Sequence, residues 1–190
     1  SPEIGEIGRQ YGAKYLACSL AIAHKDLDAD IKWVRHALGI VSCDVFSILR
    51  PTSPFRTGET IKRAWDKFNS ITCDSLRAVE LVKQNPYKMW TLDGDYIRPL
   101  LMPELPPNRH WHSKPSQSAP KVYIQNASLE IAHSYCVTKY DSISGRNIIP
   151  FFTNEREGFD INDWGDLEYA ERLYENRRLY KVEMPKPEKV

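Results

Sequence analysis

"SCDVFSILRPTSPFRTGETIKRAWDKFNS", residues 42–70, sets an apolar run, a loop with two prolines and a helical pattern one after another. The stretch "SCDVFSILRP", residues 42–51, reads as a near-continuous apolar strand of the kind covered on both faces in a parallel sheet. Beyond Gly58, the residues Ile61, Trp65 and Phe68 recur at helical spacing. Strand, rigid turn and helix form the repeating unit of a doubly wound α/β sheet, whose ligands lie beyond the carboxyl ends of the strands. The Pro-Thr-Ser-Pro loop sits at such an end. Pro51 and Pro54 fix φ and restrict the residue before each of them. Thr52 and Ser53 offer caps to the next helix or hydroxyls to a ligand, and Arg50 and Arg56 offer bidentate bonds to phosphate or carboxylate. The same residues also read as a strand-to-helix turn with solvated arginines, and spacing alone leaves both open.

The alternation extends to either side. Ile4 and Ile7 predict an opening helix that stops at Gly12, "KYLACSLAIA" a strand over 14–23, and Ile31, Val34 and Leu38 a helix that ends at Gly39. "DSLRAVELV" reads as another strand. After residue 83 the pattern changes: "NPYKMWTLDGDYIRPLL" predicts a hairpin around Asp93-Gly94, followed by a proline-rich stretch too aromatic for an ordinary linker. "VYIQNASLEIA" and "GRNIIPFF" return to strand, and "DWGDLEYAERLYENRRLY" is a closing amphipathic helix with Asp163 as N-cap and Asp166 in its first turn. The expected organisation is residues 1–83 as part of an α/β domain, 84–122 as an excursion, and 123–190 as the rest of the domain with its C-terminal helix.

Bulk properties narrow the setting. The 190 residues, 42% hydrophobic, suffice for one core, and 26 basic against 25 acidic residues leave a net charge of +1. Such a balance holds no nucleic-acid backbone by bulk charge. The four scattered cysteines make neither a zinc knuckle nor a disulfide scaffold, and no apolar run reaches membrane-span length. A cytoplasmic protein, off the membrane and without nucleic acid, is expected. The H-W-H of His110 and His112 lacks a carboxylate or cysteine partner and reads as solvent or interface residues rather than a metal site.

"ILRPTSPFRTGETI" resembles the L-L-Q-P-T-S-P-L-R-T motif of the CMP-sialate synthetases, the acylneuraminate cytidylyltransferases. In order along the chain, "SPEIGEIGRQYGA", "HAL" at His36 to Leu38, "NPYK", "VYIQNASLEI" and "GFDINDWGDLEYAE" resemble further segments of that family. The resemblance implies a Rossmann-like nucleotidyltransferase fold with a mostly parallel, doubly wound sheet and a protruding dimerisation excursion. It implies attack by the anomeric hydroxyl of a nonulosonic, sialic-acid-like sugar on the α-phosphate of CTP, assisted by Mg²⁺. The products are pyrophosphate and a CMP-sugar for surface glycans. Asp160 matches the first aspartate of the family's D-I-D and is the expected catalytic metal ligand, with Asn162 at the second aspartate position. Arg50, Thr52, Ser53, Arg56, Lys88, Gln117 and Asn126 are the expected substrate-binding residues, and a homodimer packing Trp90, Tyr96 and Trp111 is the expected assembly.

The chain also departs from the pattern. Arg50 replaces a glutamine that faces the sugar, and a guanidinium there suits the sugar carboxylate. Ser116 and Ile124 stand where arginines are expected, Ala127 replaces a glycine, and Glu130 takes the place of a tyrosine lining the acyl pocket. The family's A-R-x-x-S-K loop, which cradles the CTP phosphates, is not matched by any segment here. The expectations are therefore a cytidylyltransferase that is N-terminally truncated and poorly active by itself, a nucleotidyltransferase for another sugar, or a non-catalytic dimeric module.

Overall fold

The structure, a computed structural model, describes residues 2–17, 30–101, 111–154 and 156–176. Its chain order begins with helix α1 (Pro2–Gln10), helix α2 (Ile31–Ile40), strand β1 (Val45–Ile48), helix α3 (Gly58–Ser70) and strand β2 (Ser75–Leu81). Hairpin strands β3 (Trp90–Asp93) and β4 (Tyr96–Pro99) follow. Then come β5 (Tyr123–His133), α4 (Tyr135–Tyr140), β6 (Ile148–Phe152) and α5 (Trp164–Glu175). The strand expected over 14–23 lies from residue 18 onward outside the described residues, as does His110.

The main sheet has the order β1-β5-β2-β6. β2 and β6 pair in parallel, whereas β5 pairs antiparallel with both β1 and β2. Three strands therefore share one direction, and the reversed β5 is inserted among them. The N-terminal end of β5, with Tyr123 opposite Leu81 of β2, therefore lies at the sheet edge toward which β1, β2 and β6 run, the edge where α/β sheets bind ligands.

Both faces of the sheet are covered. On one, Ala64 and Phe68 of α3 pack on Leu76, Ala78, Leu129, Ile131 and Phe151. On the other, Val34 of α2 and Val137 of α4 close over Ile48, with Phe46 at the margin. Each fully buried large aliphatic contributes about 1.5–3 kcal/mol relative to exposure. α3 differs from its expected face. Thr60, Ala64 and Phe68 form the buried stripe, while Trp65 remains 45% exposed and stacks on Phe68. Small side chains at 60 and 64 let the helix approach the sheet closely. The Thr60 hydroxyl is satisfied by Thr57 and by Glu157 Oε1, the latter at 2.7 Å.

The expected hairpin is present, a separate two-stranded sheet with Asp93 opposite Tyr96. Gly94 takes φ +60°, the left-handed value that a tight two-residue hairpin turn requires. All its strand residues but Pro99 are exposed, Leu92 at 85% and Tyr96 at 72%. Trp90 packs its ring against His112, with centroids 4.9 Å apart. Among the described residues, no helix is long and apolar enough to cross a membrane.

Candidate functional site

The site arises from an interruption in the central ladder. β2 advances from Arg77 to Val79 while β5 passes from Glu130 to Gln125, so Asn126 to Leu129 bow out of register. Inside the bow, Asn126 Oδ1 accepts from the Ser128 N–H at 3.2 Å. Asn126 Nδ2 donates to Thr153 Oγ1 at 2.9 Å and reaches Glu80 Oε2 at 3.4 Å. Gly158 presses against this pair: a Cβ there would stand 2.3 Å from Asn126 Nδ2 and 2.5 Å from Glu80 Oε2. Arg50, Glu80, Asn126, Gly158, Asp160 and Asn162 together border a cleft of about 440 Å³.

Asp160 is held by its neighbours. The Ile161 N–H donates to the Thr52 carbonyl at 2.9 Å, and the Asn162 N–H donates to Asp166 Oδ2 at 2.9 Å. Phe159 is gripped between Phe55 and Tyr169. Further back, Glu157 accepts from Arg63 and Thr60 of α3 and from the Asn154 N–H. Burial works against the Glu157 charge, but the bonds from Arg63, Thr60 and Asn154 prevail and hold its pKa below the usual carboxylate value.

With the backbone fixed on both sides, Asp160 Oδ1 is shut off from solvent and accepts no hydrogen bond. Asn162 Nδ2 donates to the Asp160 carbonyl at 3.4 Å, and the residue borders the cleft. Two oxygen donors, one an orphaned carboxylate oxygen, suit a hard cation such as Mg²⁺, which keeps waters and shares phosphate oxygens with its substrate. Among the described residues, no group of three or more His, Cys, Asp or Glu side chains forms a protein-only cage. Asp163 supplies no substitute ligand, since its Oδ1 caps α5 by accepting from the Asp166 N–H at 2.9 Å.

The two arginines of the loop are committed to the protein. Arg50 pairs with Asp30 and, at 3.4 Å, with Glu130. The hydrogen bond to Asp30 raises the Arg50 pKa against the opposing effect of burial. Burial also opposes ionisation of Asp30, yet the bonds from Arg50 and Trp33 hold its pKa low. Arg56 donates to the carbonyls of Arg50 and Ser128, strapping the loop to the bow of β5, and burial lowers its pKa. Thr52, Ser53 and Arg56 do not border the cleft. Neither hydroxyl caps α3, because Thr57 does so in a reciprocal capping box with Thr60.

Lys88 and Gln117 do not join this cleft. They border a second one of about 510 Å³, between segments 81–89 and 116–121. Glu80 and Gly158 were absent from the sequence-based candidates; the glycine of G-F-D-I-N was the available signal for one, and the strand position of Glu80 carried none.

No protein-family model matches the chain. It is 26% identical over 187 residues to post-translational flagellin modification protein B of Campylobacter coli, covering 94% of this chain and 76% of that protein. It is 25% identical over 187 residues to the N-acylneuraminate cytidylyltransferase of Escherichia coli, covering 97% of this chain. Its sequence is thus similar to that of a CMP-sialate synthetase over nearly its whole length. It spans 42% of the length of the Escherichia coli relative. The fold agrees: CMP:2-keto-3-deoxy-manno-octonic acid synthetase, solved with CTP, superposes with a TM-score of 0.61 at 10% identity over 93% of this chain and 78% of its own. The 4-diphosphocytidyl-2C-methyl-D-erythritol synthase of Anaerococcus prevotii gives 0.56 at 12% identity over 92% and 76%. The chain shares the fold of these two synthases. Glu130, at the position of a family tyrosine, is taken up by ion pairs inside the protein. It is 4% exposed and lies between Arg50 and Arg77, the latter at 2.5 Å.

Proposed function

We propose that the chain belongs to a Mg²⁺-dependent cytidylyltransferase that joins CTP to a nonulosonic, sialic-acid-like sugar, giving a CMP-sugar and pyrophosphate. The observation that carries this reading is the orphaned Asp160 Oδ1, set beside Asn162 at the carboxyl edge of a nucleotidyltransferase sheet. Asp160 and Asn162 would hold Mg²⁺, which supplies charge stabilisation at the phosphates. Asn126, its amide held by Ser128, Thr153 and Glu80, borders the cleft, and Lys88 and Gln117 face the sugar from the neighbouring one. Arg50, neutralised by Asp30 and Glu130, shapes the wall, while Thr52, Ser53 and Arg56 support it. The test is CTP binding with and without Mg²⁺, measured by calorimetry. Mg²⁺ should tighten binding in the native chain and not in Asp160→Ala; equal dependence in both would remove Asp160 from the metal site.

The named role of the Campylobacter relative in flagellin modification supports a surface glycan as destination, and use of CTP supports a cytoplasmic setting. The exposed β3–β4 hairpin supports a homodimer, since Leu92 and Ile97, directly opposite each other across the two strands, present their apolar side chains to solvent on one face. Light scattering should give twice the chain mass, and Leu92→Arg should lower it to one. A monomer at high protein concentration would sink the dimer.

A further inference from the structure

We propose that Lys83 and Lys121, together with Lys88, form the carboxylate-binding end of the substrate groove and determine its selectivity for sugar acids. The inference rests on the cytidylyltransferase reading and extends it to residues with no matching family motif.

The second cleft is bordered by Lys83, Lys88 and Lys121, and among the described residues no Asp or Glu borders it. None of the three lysines has an ion-pair partner among the described residues. The first cleft has the opposite character: its one arginine, Arg50, is neutralised by Asp30 and Glu130, and Glu80 and Asp160 add carboxylates. A sugar carboxylate is thus repelled at the Asp160 end unless metal covers it, and attracted at the lysine end. A third depression shares Glu80 and Ile124 with the first cleft, and Val82, Lys83, Gln84 and Met89 with the second. One substrate can therefore bridge both.

The lysine cleft is also a built frame. Asn85 Nδ2 donates to the Pro120 carbonyl at 2.8 Å, and the Val82 N–H donates to the Val122 carbonyl at 3.1 Å, tying its two walls together. Asn85 Oδ1 accepts from the Tyr87 N–H at 3.0 Å and so starts the short 3₁₀ turn Pro86–Lys88 that carries Lys88. Ser116, at one of the positions where the family resemblance implied an arginine, borders this same cleft. Lys83 and Lys121 restore from other positions the charge that serine lacks.

The experiment is calorimetry on the full chain with N-acetylneuraminate, 2-keto-3-deoxy-manno-octonate and the methyl ester of each, in the presence and absence of Mg²⁺ and CTP. At least one free acid should bind about tenfold or more tightly than its ester, the span of a charge-assisted hydrogen bond. Lys83→Gln with Lys121→Gln should erase that preference, leave ester binding and Mg²⁺-dependent CTP binding unchanged, and be rescued by arginine at both positions. Equal affinity for acid and ester, no binding of either, or a preference that survives the double glutamine variant would overturn the proposal. Failure of Mg²⁺-CTP to bind would instead count against the cytidylyltransferase reading, while the acid-to-ester ratio still decides the role of the lysines.

Discussion

The Ile161 N–H donates to the Thr52 carbonyl at 2.9 Å, so the Pro-Thr-Ser-Pro loop and the Asp-Ile-Asn segment form one structural unit despite lying far apart in sequence. The prolines serve this bond, because a loop fixed in φ presents the Thr52 carbonyl without further ordering cost. What the loop contributes to the site is thus the placement of Asp160.

Gly158 should tolerate no side chain. A Cβ would displace the Asn126 amide and the Glu80 carboxylate, both of which border the cleft. Gly158→Ala should cost about 1–3 kcal/mol, the usual range for overpacking, and weaken ligand binding beyond that loss. Urea denaturation measures the first and calorimetry the second; a variant as stable as the parent would show that the contact relaxes freely.

Glu130 should be a determinant of stability. With its side chain 5% exposed between Arg77 and Arg50, its removal leaves Arg77, itself 13% exposed, without its counter-ion. Glu130→Ala should cost about 3–5 kcal/mol, as for breaking other buried pairs. Glu130→Leu combined with Arg77→Met should cost much less than the two single variants added together. Denaturation midpoints for the cycle decide this, and simple additivity would show that the pair is uncoupled.

Below neutral pH, Asp74 should dominate one limb of the stability profile. It accepts from the Asn147 and Arg146 N–H groups and from the Tyr135 hydroxyl, each at 2.7 Å, and these bonds lower its pKa to about 2. A depressed carboxylate stabilises the fold above its unfolded pKa of about 4 and loses that contribution as pH falls toward 2. Tyr135 is raised to about 12 by the same hydrogen bond, so its contribution is complete below about pH 10 and is lost as pH rises through 12. Asp74→Asn should flatten both limbs of the midpoint-against-pH curve. An unchanged acid limb would assign it to Glu157 and Asp30.

Most elements were legible because their periods are long and distinct: the apolar runs of β1, β2 and β6, the helical pattern of α3, the Asp163-capped start of α5 and the Asp93-Gly94 hairpin all appear, although α3 is capped by Thr57 rather than by Thr52 or Ser53. α4 was not, since six residues, Tyr135–Tyr140, are too few to display a period. The reversal of β5 was also hidden, because strand order is settled by long-range pairing rather than local pattern. Trp65 was misplaced for a related reason: helical spacing defines several stripes, and packing chose the one with Thr60 and Ala64. At the site, motifs brought Arg50, Asn126, Asp160 and Asn162 to one cleft. They did not reveal that Arg50 would be neutralised, because Asp30 and Glu130 meet it only in the fold.

Asp160 and Asn162 should differ in their response to mutation. Both border the cleft, Asp160 with a carboxylate, one of whose oxygens is buried without a partner, and Asn162 with a neutral amide. If both hold Mg²⁺, Asp160→Ala in an active enzyme should chiefly lower turnover, because the metal acts most strongly on charge developing in the transition state. Asn162→Asp should tighten Mg²⁺ by restoring a second carboxylate, provided substrate phosphates are not repelled by it. The cost of that charge would appear as weaker CTP binding at low Mg²⁺, reversing as the metal saturates. A Mg²⁺ titration of pyrophosphate release, run beside CTP binding, separates these effects. Asn162→Asp with an unshifted Mg²⁺ midpoint would place residue 162 outside the metal's coordination shell, and unchanged turnover in Asp160→Ala would do the same for Asp160.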